Sequence, residues 1–224
     1  MKRPLIINFK NYLEVSGSHT IRFAKVAEQV ADNLRIEIVI APPQPSLSAV
    51  IQNVKLPVIC QHVDDSGVGS TTGFFIPEVA KSYGPVGSLI NHSEHRLNIK
   101  TIRNLVERLH QLRMVSVVCA QTAQEVAELA DLSPNFIAVE PPELIGSGKA
   151  VSKVNPSVIT DSLQVLAKNS TPTKMICGAG ITDKSDVISA LELGAEGILV
   201  ASSVVKAKCW SEKLSDLASG FEQH

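Results

Sequence analysis

A single closed (β/α)8 barrel is the fold class this sequence predicts, on three observations. Eight short β-rich apolar runs recur along the chain. Most of them are almost continuously apolar, which suits parallel strands buried on both faces. Helical periodicity fills many of the intervals, and 224 residues shared among eight strand and helix units give roughly 28 each, at the compact end for such a barrel. The main alternative is an open doubly wound sheet. Against it, the turn after the first run, INFKNYLEVSG, carries no GxGxxG fingerprint.

The eight expected strands are Leu5 to Ile7, Ile36 to Ile40, Val58 to Cys60, Ser88 to Ile90, Val115 to Cys119, Phe136 to Val139, Met175 to Cys177 and Ile198 to Val200. Between them, Ile99, Ile102, Leu105, Val106, Leu109 and Leu112 place an apolar stripe on one helix face. Ala123, Val126, Ala127 and Ala130 do the same, as do Val187, Ala190 and Leu191 behind the start signal Thr182-Asp183. Asn155-Pro156 opens another helix, with an N-cap residue and a proline in the first turn. Trp210 and Phe221 in the terminal amphipathic segment read as core packing. The whole of residues 1–224 is expected to form one domain.

Composition narrows the function. A formal charge of -1 with no basic run argues against nucleic-acid binding and against a surface drawn to anionic membranes. No apolar run is long enough to span a bilayer, and Lys10 interrupts the N-terminal apolar stretch before it resembles a signal peptide, so a cytoplasmic protein is expected. Cys60, Cys119, Cys177 and Cys209 have no C-x-x-C spacing and read as reduced thiols. His62, Asp64 and Asp65 precede a polar, glycine-rich loop with no second ligand cluster, which favours a surface or oligomer-contact loop over a metal site.

Barrel chemistry belongs to the loops after the strand C-termini. After the first strand, Lys10 interrupts apolar sequence where an ammonium can meet a phosphate or carbonyl oxygen, and Asn8 is placed to hold it. After the fourth comes Asn91-His92-Ser93-Glu94-His95-Arg96. His92 follows the strand most closely, and at the start of a helical turn its imidazole is expected to stay neutral and donate to a developing oxyanion. His95 reads as structural or surface, and Glu94 as a partner for Lys10 or for the helix start. The sixth strand runs into AVEPPELIGSG: Glu140 stands where the strand gives way to Pro141-Pro142 and then to Gly146, Ser147 and Gly148, a carboxylate base beneath a hinged cover. The turns Cys177-Gly178-Ala179-Gly180 and Val200-Ala201-Ser202-Ser203 carry small residues that let backbone N–H groups approach an anion, at the two strand ends where barrels of this class bind phosphate.

Taken together, N-F-K, N-H-S-E, V-E-P-P-E-L-I-G-S-G, C-G-A-G and V-A-S-S, in this order at five strand ends, resemble the triosephosphate isomerase family, specifically its short archaeal type. The resemblance covers the whole chain and implies a TIM barrel with aldose–ketose isomerase activity on triose phosphates. It makes Glu140 the proton acceptor and His92 the electrophile, with Lys10 and Asn8 contacting substrate. Ile145, Gly180, Ala201 and Ser202 match the phosphate end, and Gly146, Ser147 and Gly148 the lid. A glutamate base, a neutral histidine and a closing loop are the arrangement for which triosephosphate isomerases are the standing example. Neither metal nor redox cofactor is implied.

Two departures stand out. Longer relatives commonly carry a tryptophan in the lid hinge and a glycine pair after the eighth strand, where this chain has Pro142-Glu143 and Ala201-Ser202; Ser203 stands where short relatives often have glycine. The loop from Asp64 to Phe75 occupies the place where the family inserts a loop into its neighbour, which implies a homo-oligomer, dimer or tetramer. The competing functions are another phosphate-binding barrel enzyme, such as a synthase of indole or thiamine biosynthesis, and a non-catalytic phosphate-ligand binding protein. With only 4% aromatic residues the chain offers little for a large aromatic pocket, and intact Asn8, Lys10, His92 and Glu140 speak against lost chemistry.

Overall fold

The structure, a computed structural model, describes residues 1–141, 150, 155–169 and 171–222. Eight parallel strands, β1 (Leu5–Asn8), β2 (Ile38–Ala41), β3 (Ile59–Cys60), β4 (Gly87–Ile90), β5 (Val115–Ala120), β6 (Phe136–Val139), β7 (Lys174–Cys177) and β8 (Ile198–Val200), pair in sequence order, and β8 returns to β1. Between β2 and β3 the ring is completed by a parallel bridge from Ile40 to Val58, where the Ile40 N–H donates to the Pro57 carbonyl at 3.1 Å. The predicted barrel is therefore observed, with strand boundaries shifted by two residues at most.

Strand alternation divides the core in two. Ile6, Val39, Ile59, Leu89, Val117, Cys119, Phe136, Ala138, Ile176 and Leu199 fill the barrel interior as one cluster. Their strand neighbours, among them Leu5, Ile7, Ile40, Ile90, Ile137 and Cys177, face outward into a second cluster shared with the helices. This is the period of two inherent to a pleated strand, closed into a cylinder.

The helices are α1 (Ser18–Leu34), α2 (Leu47–Asn53), α3 (Pro77–Tyr83), α4 (Ile99–Gln111), α5 (Ala123–Ala130), α6 (Pro156–Lys168), α7 (Lys184–Glu192), α8 (Ser202–Val205) and α9 (Trp210–Ala218). The α4 stripe is buried at Ile102, Leu105, Val106 and Leu109, and the Asn98 side chain caps its first turn by accepting from the Thr101 N–H at 2.9 Å. In α7 the predicted start at Asp183 is a full capping box with Asp186. Asn155 does precede α6 and Pro156 does open it, but the Asn155 amide accepts from the Ser157 hydroxyl at 2.8 Å instead of capping a backbone N–H. Trp210 packs edge-on against Phe23 of α1, with ring centroids 5.1 Å apart, and donates its indole N–H to Val205. The four cysteines are free thiols, three buried in β3, β5 and β7 and Cys209 exposed. Among the described residues, no helix is long and apolar enough to cross a membrane.

Candidate active site

Where β1 leaves the barrel, the interior register begun at Ile6 continues through Asn8 to Lys10, while Phe9 between them is buried outside. Lys10 takes a left-handed backbone, φ 48°, that turns the chain across the mouth. Asn8 stabilises this turn by accepting the Lys10 backbone N–H at 2.9 Å, and the Gln61 amide donates to the Lys10 and Ala41 carbonyls at 3.0 Å each. Asn8 thus holds the lysine's backbone, while the ammonium is held by Glu94, Nζ to Oε1 2.7 Å.

His92 is aimed by a second left-handed residue. Asn91, φ 61°, is buried and spans the turn after β4, donating to the Cys119 carbonyl and accepting from the Leu97 N–H, both at 2.9 Å. The following turn closes with the His95 N–H on the His92 carbonyl at 2.8 Å. Nδ1 of His92 accepts the Glu94 backbone N–H at 3.1 Å, which leaves the ring proton on Nε2. Burial, with Lys10 adding to it and Glu94 opposing, lowers the His92 pKa to about 4. The imidazole is therefore neutral at pH 7, mainly through desolvation.

Glu140 continues the interior register of Phe136 and Ala138 one step beyond β6, and its backbone N–H still donates to the Ala120 carbonyl of β5 at 2.8 Å. The carboxylate is buried, and burial pushes its pKa up to about 7, with the Cys119 thiol and Lys10 pulling it back and Glu94 pushing it further. Among the described residues its Oε2 has no hydrogen-bond partner; the facing group is Nε2 of His92, 3.6 Å away, beyond hydrogen-bond range. A buried acceptor left open costs stability, and it is retained where chemistry needs it.

Space for this carboxylate is made by Gly178, in the interior register after Ile176 of β7. A Cβ there would lie 2.5 Å from Cγ of Glu140. The sequence suggests this glycine for the approach of backbone N–H groups to an anion; extending the alternation of β6 and β7 side by side shows a second requirement, room for the Glu140 side chain.

Asn8, Lys10, His92, Glu94, Glu140, Gly180, Ala201 and Ser202 line one cavity of about 570 Å3 at the C-terminal mouth. Gly180 turns the loop after β7 with φ 71°, and Ala201 precedes α8, whose first N–H groups lack intrahelical acceptors. Ser203 ties these two turns together, its hydroxyl donating to the Ile181 carbonyl at 3.0 Å. Tyr12 and Lys206, which the sequence does not single out, also line the cavity, as does Thr182 from the turn before α7. The lid residues Ile145, Gly146, Ser147 and Gly148, like Pro142, lie outside the described residues.

His95 stacks on His62, ring centroids 3.9 Å apart, at the rim of an adjoining pocket. The carboxylates once weighed as metal ligands are committed elsewhere, Asp64 to His62 and to the Phe75 N–H, Asp65 to Asn104 and Arg108.

A buried carboxylate facing a neutral imidazole, with an ammonium and two small-residue turns around one barrel mouth, is the constellation of a proton-transfer site for a small anion. The family model for triosephosphate isomerase matches residues 4–217. This chain belongs to the triosephosphate isomerase family. It is 47% identical over 217 residues to the triosephosphate isomerase of Cenarchaeum symbiosum, covering 97% of each chain. The triosephosphate isomerases of Methanothermus fervidus, 43% identical over 218 residues, and Caldivirga maquilingensis, 44% over 219, are matched over 97% or more of either chain. Near-complete coverage of these triosephosphate isomerases agrees with the short archaeal form.

Proposed function

We propose that this chain interconverts dihydroxyacetone phosphate and D-glyceraldehyde 3-phosphate through an enediolate. The observation that carries the reading is the Glu140–His92 pair: a buried carboxylate with an open oxygen, opposed by an Nε2–H donor, at the barrel mouth. In the forward direction Glu140 takes a proton from the carbon beside the carbonyl, and the two electrons of that C–H bond form the enediolate double bond. His92 donates through Nε2 to the oxygens on which negative charge develops, and Lys10 stabilises the same charge. The hydroxyl proton passes from the first oxygen to the second by way of Nε2 of His92, which gives its own proton to one oxygen and recovers one from the other; Glu140 then returns its proton to the neighbouring carbon, so the reaction balances without oxidant, reductant or metal.

Each group's state suits its task. A base with a pKa near the working pH combines availability with driving force, and a neutral imidazole donates without first surrendering a charge. Asn8 supports Lys10 and contacts substrate; Gly180, Ala201 and Ser202 bind the phosphate through backbone N–H groups. Ile145 joins them at the phosphate end, and Gly146, Ser147 and Gly148 form the cover that keeps water from the enediolate. The working form is a cytoplasmic homo-oligomer, dimer or tetramer, built on the single barrel domain.

The deciding experiment is turnover of triose phosphate by Glu140→Asp. Shortening the side chain withdraws the carboxylate by ~1 Å and is expected to lower kcat about a hundredfold with an unchanged circular dichroism spectrum. Near-full activity would remove Glu140 from the base role.

A further inference from the structure

The charges lining the cavity are unevenly committed. Lys10 is bound to Glu94 at 2.7 Å, His92 is neutral at pH 7, and Glu140 adds negative charge once ionised. Among the described residues, with these groups alone a phosphate dianion would enter a mouth whose lining is neutral to negative. Backbone N–H groups can orient such an anion, but they carry no net charge with which to draw it in.

Lys206 supplies what is missing. It stands at the end of α8, its N–H donating to the Ser202 carbonyl at 3.2 Å, one turn beyond the Ala201 and Ser202 pair at the cavity wall. Its ammonium is poised over the ring of Tyr12, 4.2 Å from the centroid, and Tyr12 comes from the β1 loop two residues after Lys10. Among the described residues no carboxylate lies within ion-pair reach of it. A ring face holds a lysine in place without cancelling its charge, as a carboxylate would. Among the described residues lining this mouth, Lys10 is thus the paired cation and Lys206 the one whose charge is still available.

We propose that Lys206 is a second phosphate-recruiting cation, held at the mouth by Tyr12 and engaging the phosphate of the incoming triose phosphate. The nature of the phosphate ester rests on the isomerase reading; the anion site does not. Lys10 serves the reacting oxygens, close to His92 and Glu140, whereas Lys206 serves capture at the outer end.

The test uses full-length wild type, Lys206→Met and Lys206→Arg. Methionine retains most of the apolar stem while removing the charge. For Lys206→Met, KM for D-glyceraldehyde 3-phosphate and the calorimetric Kd for inorganic phosphate are expected to rise about fivefold, with kcat falling by less than about twofold. The dependence of kcat/KM on sodium chloride should flatten, since screening acts on the recruiting charge. Lys206→Arg should restore most of the loss, and turnover of D-glyceraldehyde, which lacks the phosphate, should match wild type. Unchanged KM and phosphate Kd would overturn the proposal, as would a parallel loss on D-glyceraldehyde, which marks a structural effect. Should wild type fail to isomerise triose phosphate while the phosphate Kd still weakens in Lys206→Met, the isomerase reading falls and the anion site stands.

Discussion

Burial moves the Glu140 carboxyl from 4.5 to about 7, and this has a sign that can be measured. Unfolded, the group loses its proton near 4.5; folded, it keeps it to about 7, so between these values the native state binds more protons and stability falls as pH rises. The ionised carboxylate costs the fold about 3 kcal/mol above pH 7, a cost absent below 4.5. Glu140→Gln removes the titration. The stability of that variant relative to wild type, from urea unfolding, is therefore expected to improve by about 3 kcal/mol between pH 4.5 and pH 8, whatever constant offset the amide introduces. A pH-independent difference would show that the native carboxyl titrates as it does in water. This cost is the counterpart of its function, since the same desolvation makes the carboxylate a stronger base.

At the scale of the strand and its exit turn, the active site follows from register. The alternation that buries Ile6, Phe136, Ala138 and Ile176 inside the barrel, carried past the strand ends, places Asn8, Lys10, Glu140 and Gly178 at the mouth. That pattern was legible in the sequence, and so were Glu140, Lys10 and the small-residue turns. His92 was legible as a residue of the mouth, where the structure places it, but the device that aims it was not. A left-handed, buried Asn91 depends on the Leu97 N–H within its own loop and on the Cys119 carbonyl of the neighbouring strand, which meets it only when β4 and β5 pair. Asn91→Gly retains the backbone freedom and loses both hydrogen bonds; Asn91→Ala loses all three. The expected destabilisation is about 2 kcal/mol for glycine and about 3 kcal/mol for alanine, read from denaturant midpoints. In both, kcat should fall more than KM rises, because in the proposed mechanism His92 acts on charge that develops after binding. Equal stability of the two variants would show that the left-handed backbone costs alanine nothing there. Helix α1 was not singled out although its buried positions Phe23, Ala24, Ala27, Val30 and Ala31 follow helical spacing; three alanines make its stripe weak in sequence and close-packed in space. The tertiary links of Gly178 to Glu140 and of Lys206 to Tyr12 join separate strand ends, so only the closed ring reveals them.

For the whole molecule, the surface carries an unusual feature around the loop that follows β3. Val68 and Phe74 on this loop are 72% and 56% exposed, and Leu13, beside Tyr12 on the rim of the mouth, is 84% exposed. The loop's base is fixed: Asp64 exchanges backbone and side-chain hydrogen bonds with Phe75, and Arg108 of α4 holds Asp65, Glu78 and the Ser66 carbonyl. Apolar groups displayed on a pinned protrusion favour a partner surface over free solvent, because a preorganised loop loses little entropy on docking. The rim beside Leu13 offers a receptor, a pocket of about 350 Å3 lined by Asn11, Gln61, His62 and His95. These surfaces would suit the homo-oligomer proposed above, with one copy's loop set against another copy's rim. Sedimentation over a dilution series is expected to show a species larger than the monomer, dimer or tetramer, and the double variant Val68→Asp with Phe74→Asp is expected to shift it towards monomer at equal concentration. If docking helps order the Lys10 loop, kcat should fall together with the mass. A wild-type monomer that stays fully active at every concentration would refute the assembly and leave the barrel as a self-sufficient catalyst.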